Sequence, residues 1–374
     1  MDDHLYLSRR QSIMLLEFDG SRTRELLVMA NPTVTGVPAV PAALERARET
    51  SLPVLRRAIA TLHPDLAAVA GYHCGLTDQH GRPVTAGGGG KMLRPALVLL
   101  SARTTETPAR TSPSEAVVAG AGAVQLVHEF SLLHDDIMDR DRTRRGRATA
   151  WTVYGTDTAL LAGDVVMALA ISMLGDHPPA AAALAEAVVC LCAGQAEDLA
   201  LGTRSAVTVA DWERMATGKT GALIAASCRV GALLGGGDDG IATALSDIGE
   251  HLGLAFQAVD DWLGIWGNSA ATGKPVGADI AARKRSLPIT ATLSTPGAAS
   301  QTLAAILDTP GNLTVGDIAE AIAALDHANA GEFTRHHAQR HTTHIRTALG
   351  ALDLPPEVRR DWDDLVTFLT TRTT

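Results

Sequence analysis

The segment His134-Asp135-Asp136-Ile137-Met138-Asp139 sets Asp135 and Asp139 four residues apart, one helical turn, so both carboxylates project from one face. Like charges at that spacing repel. The flanking Phe130, Leu132, Leu133, Ile137 and Met138 are apolar, and unpaired charge in such a setting is costly. A hard divalent cation would resolve both problems. Oxygen ligands on an incomplete protein cage suit magnesium, which keeps waters and takes its remaining oxygens from phosphates. A solvated acidic helix face is the alternative reading of this segment. A second acidic pair, Asp260-Asp261, follows Phe256-Gln257 in another apolar stretch. If the two clusters face each other across a cavity, they can hold several ions.

Cations stand in distinctive settings between and after these carboxylates: Arg144-Arg145-Gly146, Lys219-Thr220-Gly221, Lys274-Pro275-Val276-Gly277 and Lys284. By type they are diphosphate ligands. Upstream, Gly87 to Gly90 lead into Lys91 and Arg94 at the expected start of a helix, where backbone N–H groups favour a second anion. A nucleotide-binding P-loop is excluded here. That motif needs glycine at 85 and Ser or Thr after the lysine, whereas Thr85 and Met92 occupy those places and no strand precedes them.

The elements that must carry these groups read as helices. From Pro41 onward the chain is rich in Ala and Leu, with apolar residues at helical spacing, as in Leu52, Leu55, Ile59 and Leu62. Strand-like alternation is scarce. Breakers recur at Gly87 to Gly90, Asp176 to Pro179, Gly235 to Gly240, Thr295 to Gly297 and Pro310-Gly311, which predicts an all-α bundle of about ten or more helices. Asp238 and Asp239 read as part of the loop over 235–240. Residues 1–40 form an N-terminal extension, expected to be poorly ordered, in which Met29 is an alternative start. Residues 41–374 are read as one domain.

Bulk properties narrow the classes. The chain has 374 residues, 46% hydrophobic, with a formal net charge of −9, so a sequence-wide basic surface for nucleic acid or anionic membrane is absent. The longest apolar run, Ala159 to Leu174, is broken by Gly163 and Asp164 and is shorter than the roughly 20 residues of a span. It reads as a buried core helix, with no membrane span expected. Cys74, Cys190, Cys192 and Cys228 fit neither a zinc pattern nor a disulfide scaffold, and read as reduced core thiols of a cytoplasmic protein.

The ordered set of motifs, DDxxD followed after four residues by RRG, then KTG, FQxxDD and GKPxGxD, resembles the trans-isoprenyl diphosphate synthases, or polyprenyl synthetases, over roughly residues 45 to 350. That resemblance implies the isoprenoid-synthase helical bundle around a central cavity, usually a homodimer, with about three Mg2+ ions per site. It implies a prenyltransferase that joins isopentenyl diphosphate to allylic diphosphates such as dimethylallyl, geranyl and farnesyl diphosphate. Asp135, Asp139 and Asp260 are then direct metal ligands, supported by Asp136 and Asp261. Arg144, Lys219 and Lys274 hold the allylic diphosphate, with Thr220, Gln257 and Lys284 near it, and Lys91, Arg94, His128 and Arg145 form the isopentenyl diphosphate pocket. Phe130 and Ser131, five and four residues before Asp135, resemble the chain-length positions of short-chain synthases making geranylgeranyl diphosphate (C20), with farnesyl diphosphate (C15) as the alternative.

One departure stands out. The second motif of the family is usually DDxxD, yet position 264 is glycine. Activity with weaker metal binding is the expectation, against the alternative of a non-catalytic partner subunit. A terpene cyclase on the same scaffold would not need the isopentenyl pocket, and only thirteen aromatic residues are available to stabilise carbocations. Gln195, Glu197 and Asp198 resemble a GQxxDL stretch and either line the cavity or satisfy helix contacts. His336, His337, His341 and His344 lack a carboxylate partner nearby in sequence and read as a polar helix face.

Overall fold

The computed structural model describes residues 40–84, 90–105, 112–202, 204, 206–267 and 275–371. Lys274, Gly87 to Gly89 and all but the last residue of the expected extension lie outside them. Among the described residues regular structure is helical apart from one two-residue ribbon. Helices α1 (Ala42–Ile59), α2 (Pro64–His73) and α3 (Leu93–Thr105) precede the central α4 (Glu115–Met138). Then come α5 (Ala150–Tyr154), α6 (Thr156–Ser172), α7 (Pro178–Leu201), α8 (Val209–Ala216), α9 (Ala222–Leu234) and α10 (Asp239–Trp266). Shorter helices lead to two C-terminal ones, Ala330–Gly350 and Pro356–Thr370.

Helix α4 starts where Ser114 accepts a hydrogen bond from the Val117 amide at 3.3 Å, a standard N-cap. It packs on α1, α3, α6 and α9. Leu126 and Leu133 are fully buried on it, and each such leucine stabilises by about 1.5–3 kcal/mol. That anchoring fixes the C-terminal turn from which Asp135, Asp136 and Asp139 emerge. Helix α10 begins at Asp238, whose side chain accepts from the Ile241 amide at 2.9 Å. Asp238 is therefore a helix cap and Asp239 belongs to the first turn, in place of the loop expected there.

Between α8 and α9 the chain makes a π turn, Thr217–Gly221, a local over-wide turn that often marks functional sites. Two glycines let neighbouring helices close on it. A Cβ at Gly194 of α7 would lie 2.1 Å from the Lys219 nitrogen, and one at Gly253 of α10 would lie 2.6 Å from the Gly221 Cα.

Three expectations need correction. Helix α6 buries Ala159, Ala162, Val166 and Ala170 but leaves Leu160 and Leu161 exposed, because an apolar run longer than one helical face must present part of itself outward. Cys74 and Cys228 are buried, whereas Cys190 and Cys192 lie exposed on α7. His337 and His341 are buried, since α10 packs along Ala330–Gly350 and covers that face. Among the described residues two helices, α4 and α7, are long and apolar enough to cross a membrane, with 67% and 44% of their apolar windows buried inside the bundle.

Candidate active site

Asp135, Asp136 and Asp139 leave the C-terminal end of α4 together, the negative end of the helix dipole, where carboxylates are disfavoured and cations welcome. Asp136 is buried and accepts from Arg144 Nε at 2.6 Å, while its Oδ2 has no partner among the described residues. Burial pushes the Asp135 carboxyl up to about 6; Lys219 and Arg144 draw it down, and Asp139 and Asp198 push it further up. Lys219 Nζ lies 2.5 Å from Asp198 Oδ2. Asp198 therefore joins α7 to the π turn through Lys219 and lies near enough to Asp135 to raise its carboxyl. Gln195 is buried with both amide atoms unpartnered among the described residues.

The second acidic motif divides its labour. Asp260 is exposed near the C-terminal end of α10. Asp261 is buried and accepts from Trp212 Nε1 at 2.7 Å, from the Leu287 amide at 2.7 Å and from Gln257 Nε2 at 2.8 Å. Burial, helped by the nearby Asp279 and Asp260, drives its carboxyl up to about 7 against the Leu287 and Gln257 donors. Gln257 in turn accepts from the Thr220 hydroxyl at 2.6 Å. Asp261, Gln257 and Thr220 thus form one chain of hydrogen bonds from α10 to the π turn. Lys284 links the motifs: partial burial opposes its charge, but Asp279, Asp198, Asp139 and Asp261 outweigh it and raise its pKa.

Arg144 and Arg145 sit on the ribbon Thr143–Arg144 paired with Arg147–Ala148. Its two turn residues, Arg145 and Gly146, have φ of 51° and 72°, as a two-residue primed hairpin turn requires. Positive φ is strained for arginine and is tolerated where the surroundings impose it. Here the imposing partner is Glu129. The Arg145 guanidinium straddles it at 3.3 and 3.4 Å, His73 Nε2 lies 3.2 Å away, and Gln125 donates at 2.6 Å.

This buried carboxylate organises a second cationic pocket. Burial alone would raise the Glu129 carboxyl, but His73, Arg145 and His128 hold it far below the usual range. Arg94 is half-buried, and loss of solvent, aided by Arg145 and opposed by Glu129, brings it down to about 10. His128 is pushed well below its ordinary value by burial and by Arg94. The Arg145 Nη2 lies 3.0 Å from where a Cβ of Gly90 would stand, and Lys91 follows at the exposed head of α3. A cavity of about 310 Å³ opens beside it, lined by His73, Asp136, Arg144 and Arg145 among others. Sequence reasoning missed Glu129 and His73. The available signal was Gln125 and Glu129 at i, i+4 within an apolar helix.

Phe130 is buried with its ring edge-on to His134 at 5.0 Å, and the Ser131 hydroxyl donates to the His128 carbonyl at 2.9 Å.

Residues 83–325 match the model of the polyprenyl synthetase family. The chain belongs to that family. It is a trans-prenyltransferase of isoprenoid biosynthesis, and its bundle has the isoprenoid-synthase fold. It is 43% identical to a geranylgeranyl diphosphate synthase of Mycobacterium tuberculosis, over 85% of this chain and 89% of that one. It is 42% identical to a (2E,6E)-farnesyl diphosphate synthase of Mycobacterium bovis, over 87% and 91%. A solved polyprenyl synthetase from Streptomyces coelicolor A3(2) superposes with a TM-score of 0.81 at 43% identity, covering 88% of this chain and 98% of that one. A polyprenyl synthase from Caulobacter crescentus, solved with calcium and isoprenyl diphosphate, gives 0.74 at 25% identity over 91% and 99%.

Enzymes of this family bind diphosphate through divalent metal, and the residues of this synthase fit such an ion. The donor set is all carboxylate oxygen, crowded at a helix end whose dipole disfavours it, and the Asp135 carboxyl is held up at about 6 with like charge beside it. These are the conditions that a hard cation relieves.

Proposed function

We propose that this synthase condenses isopentenyl diphosphate with allylic diphosphates to give geranylgeranyl diphosphate (C20) as its main product. The reading is carried by two separate anion sites: Arg144 and Lys219 around Asp135, and Arg94, His128 and Arg145 around Glu129. A cyclase or a non-catalytic subunit has no use for the second.

In this reading Arg144, Lys219 and Lys274 hold the allylic diphosphate, with Thr220, Gln257 and Lys284 around it. Lys91, Arg94, His128 and Arg145 hold the isopentenyl diphosphate. Asp135, Asp139 and Asp260 are the ligands for about three Mg2+ ions, which when bound neutralise the diphosphate and make it a good leaving group. The allylic C–O bond breaks, the isopentenyl double bond attacks the freed carbon, and the released diphosphate accepts the proton lost. Asp136 keeps Arg144 aimed at the leaving group, as Asp198 does for Lys219. Ser131, small and one turn before Asp135, leaves room for a longer tail, which favours C20 over C15.

The catalytic unit is proposed to span residues 41–374 and to work as a cytoplasmic homodimer. Exposed Leu160 and Leu161 on α6 and Val189 and Leu199 on α7 support a partner there.

The test is incubation of the purified chain with Mg2+, isopentenyl diphosphate and, separately, dimethylallyl, geranyl and farnesyl diphosphate, with products identified by chromatography and mass. A linear C20 alcohol after dephosphorylation, lost in Asp135→Ala, is expected. Cyclic hydrocarbons, or no elongation, would overturn the reading.

A further inference from the structure

Helix Ala330–Gly350 packs along α10, and the seam between them is lined with histidines. His251 Nδ1 lies 2.7 Å from His341 Nδ1, and His341 Nε2 lies 3.3 Å from His337 Nε2. At the open end of this row, His344 Nε2 is 2.6 Å from Asp247 Oδ2 and His251 Nε2 is 3.8 Å from Asp247 Oδ1. Asp247 and His251 stand one turn apart on α10, so they project from the same face. His344 meets them from the facing helix. One donor atom from each of these three residues lies within 4.8 Å of the other two.

Nitrogen and oxygen donors sit about 2.0–2.2 Å from a bound zinc-like ion and therefore stand up to roughly 4 Å apart. Small side-chain adjustments bring the present donors into that range. Two imidazoles and one carboxylate select borderline ions of the zinc, cobalt or nickel type over magnesium or calcium. The surroundings complete the arrangement. His341 holds the far nitrogen of His251, the outer contact that orients a metal-bound imidazole, and His341 is itself buried against His337. Asp247 and His344 have side chains 52% and 45% exposed, which leaves an entry path and an open coordination position.

We propose that Asp247, His251 and His344 bind one divalent transition ion that clamps the C-terminal helix Ala330–Gly350 to α10. The site is distinct from the aspartate-rich centre. Asp247 and Asp260 are separated along α10 by about 20 Å of helix rise. The proposal stands independently of which prenyl diphosphate the enzyme makes.

The experiment adds Co2+ to the full chain, purified without a histidine tag, in excess Mg2+ so that the aspartate motifs are occupied. Visible absorption and the melting temperature are followed. The wild type is expected to gain a cobalt spectrum saturating at one ion per chain and a rise of a few degrees in Tm. Both are expected to be lost in His344→Ala and in Asp247→Asn, whose half-exposed positions leave the fold intact, and both to be kept in an Asp135→Ala/Asp139→Ala variant. A signal that survives in both seam variants, that disappears in the aspartate variant, or that is absent from the wild type would overturn the proposal.

Discussion

The carboxylate of Asp279 fills the space that a side chain at Gly264 would need: a Cβ there would lie 2.2 Å from Asp279 Oδ2 and 2.5 Å from its Cγ. The glycine in the second motif is therefore matched by an acid delivered from the following GKPxGxD segment. Restoring the usual aspartate with Gly264→Asp is expected to fail. It forces a side chain into filled space and sets two carboxylates together, costing about 1–3 kcal/mol by overpacking. Thermal denaturation and Mg2+ titration check this, and a variant that binds Mg2+ more tightly without losing stability would refute it.

Glu129 is the buried centre of the second cationic pocket. Glu129→Gln leaves Arg145, Arg94 and His73 without their shared counter-charge, and breaking a buried pair costs about 3–5 kcal/mol. Chemical denaturation is expected to register that loss. Steady-state kinetics are expected to show a raised KM for isopentenyl diphosphate with a smaller change for the allylic substrate. Equal changes for both would remove Glu129 from that pocket.

The first aspartate motif, RRG, KTG and FQxxDD were legible because each compresses its chemistry into a few residues at helical spacing. Their partners were not. Asp198 reaches Lys219 and His73 reaches Glu129 only because helices distant in sequence are packed together, and no local pattern announces such a meeting. His341 and His344 misled for the same reason: His251 and Asp247, their partners on α10, lie ninety or more residues away, whereas His336 stays exposed, 3.0 Å from Glu332 one turn before it. The all-α fold was legible from composition and breakers. The exposure of Leu160, Leu161, Cys190 and Cys192 was not, because hydropathy records how apolar a helix is and not which face finds a neighbour.

His128 gives the protein a signed pH dependence. It is faced by Arg94, Arg145, His73 and Glu129, and burial with the nearby positive charges holds its pKa well below 6.5. The unfolded chain, with histidine near its ordinary value of about 6.5, binds more protons below that pH than the native state does. Stability at this position is therefore present above about pH 6.5 and declines as pH falls, by at most about 1.4 kcal/mol per pH unit. Denaturation midpoints between pH 7.5 and 5 are expected to fall less steeply for His128→Gln than for the wild type. Parallel slopes would show that His128 is charged in the folded state.

Ser131 lies one turn before Asp135, on the same helical face. Ser131→Phe is expected to shift the main product from C20 to C15 or shorter while leaving the allylic KM within a few-fold of the wild type. Product mass after dephosphorylation reads this directly. An unchanged C20 product would place the limiting wall elsewhere, with Phe130 the next position to vary.

The π turn at Thr217–Gly221 makes α8 and α9 two halves of one rod whose phase is set by a single surplus residue. A helix advances about 100° per residue, so losing one residue here would rotate everything on one side by more than a quarter turn relative to the other. Either the buried face of α9 or the contacts of Trp212 on α8 would then point the wrong way. The length of this stretch is thus locked to the residue, and Lys219 and Thr220 occupy the place where a slip in chain length would be felt first.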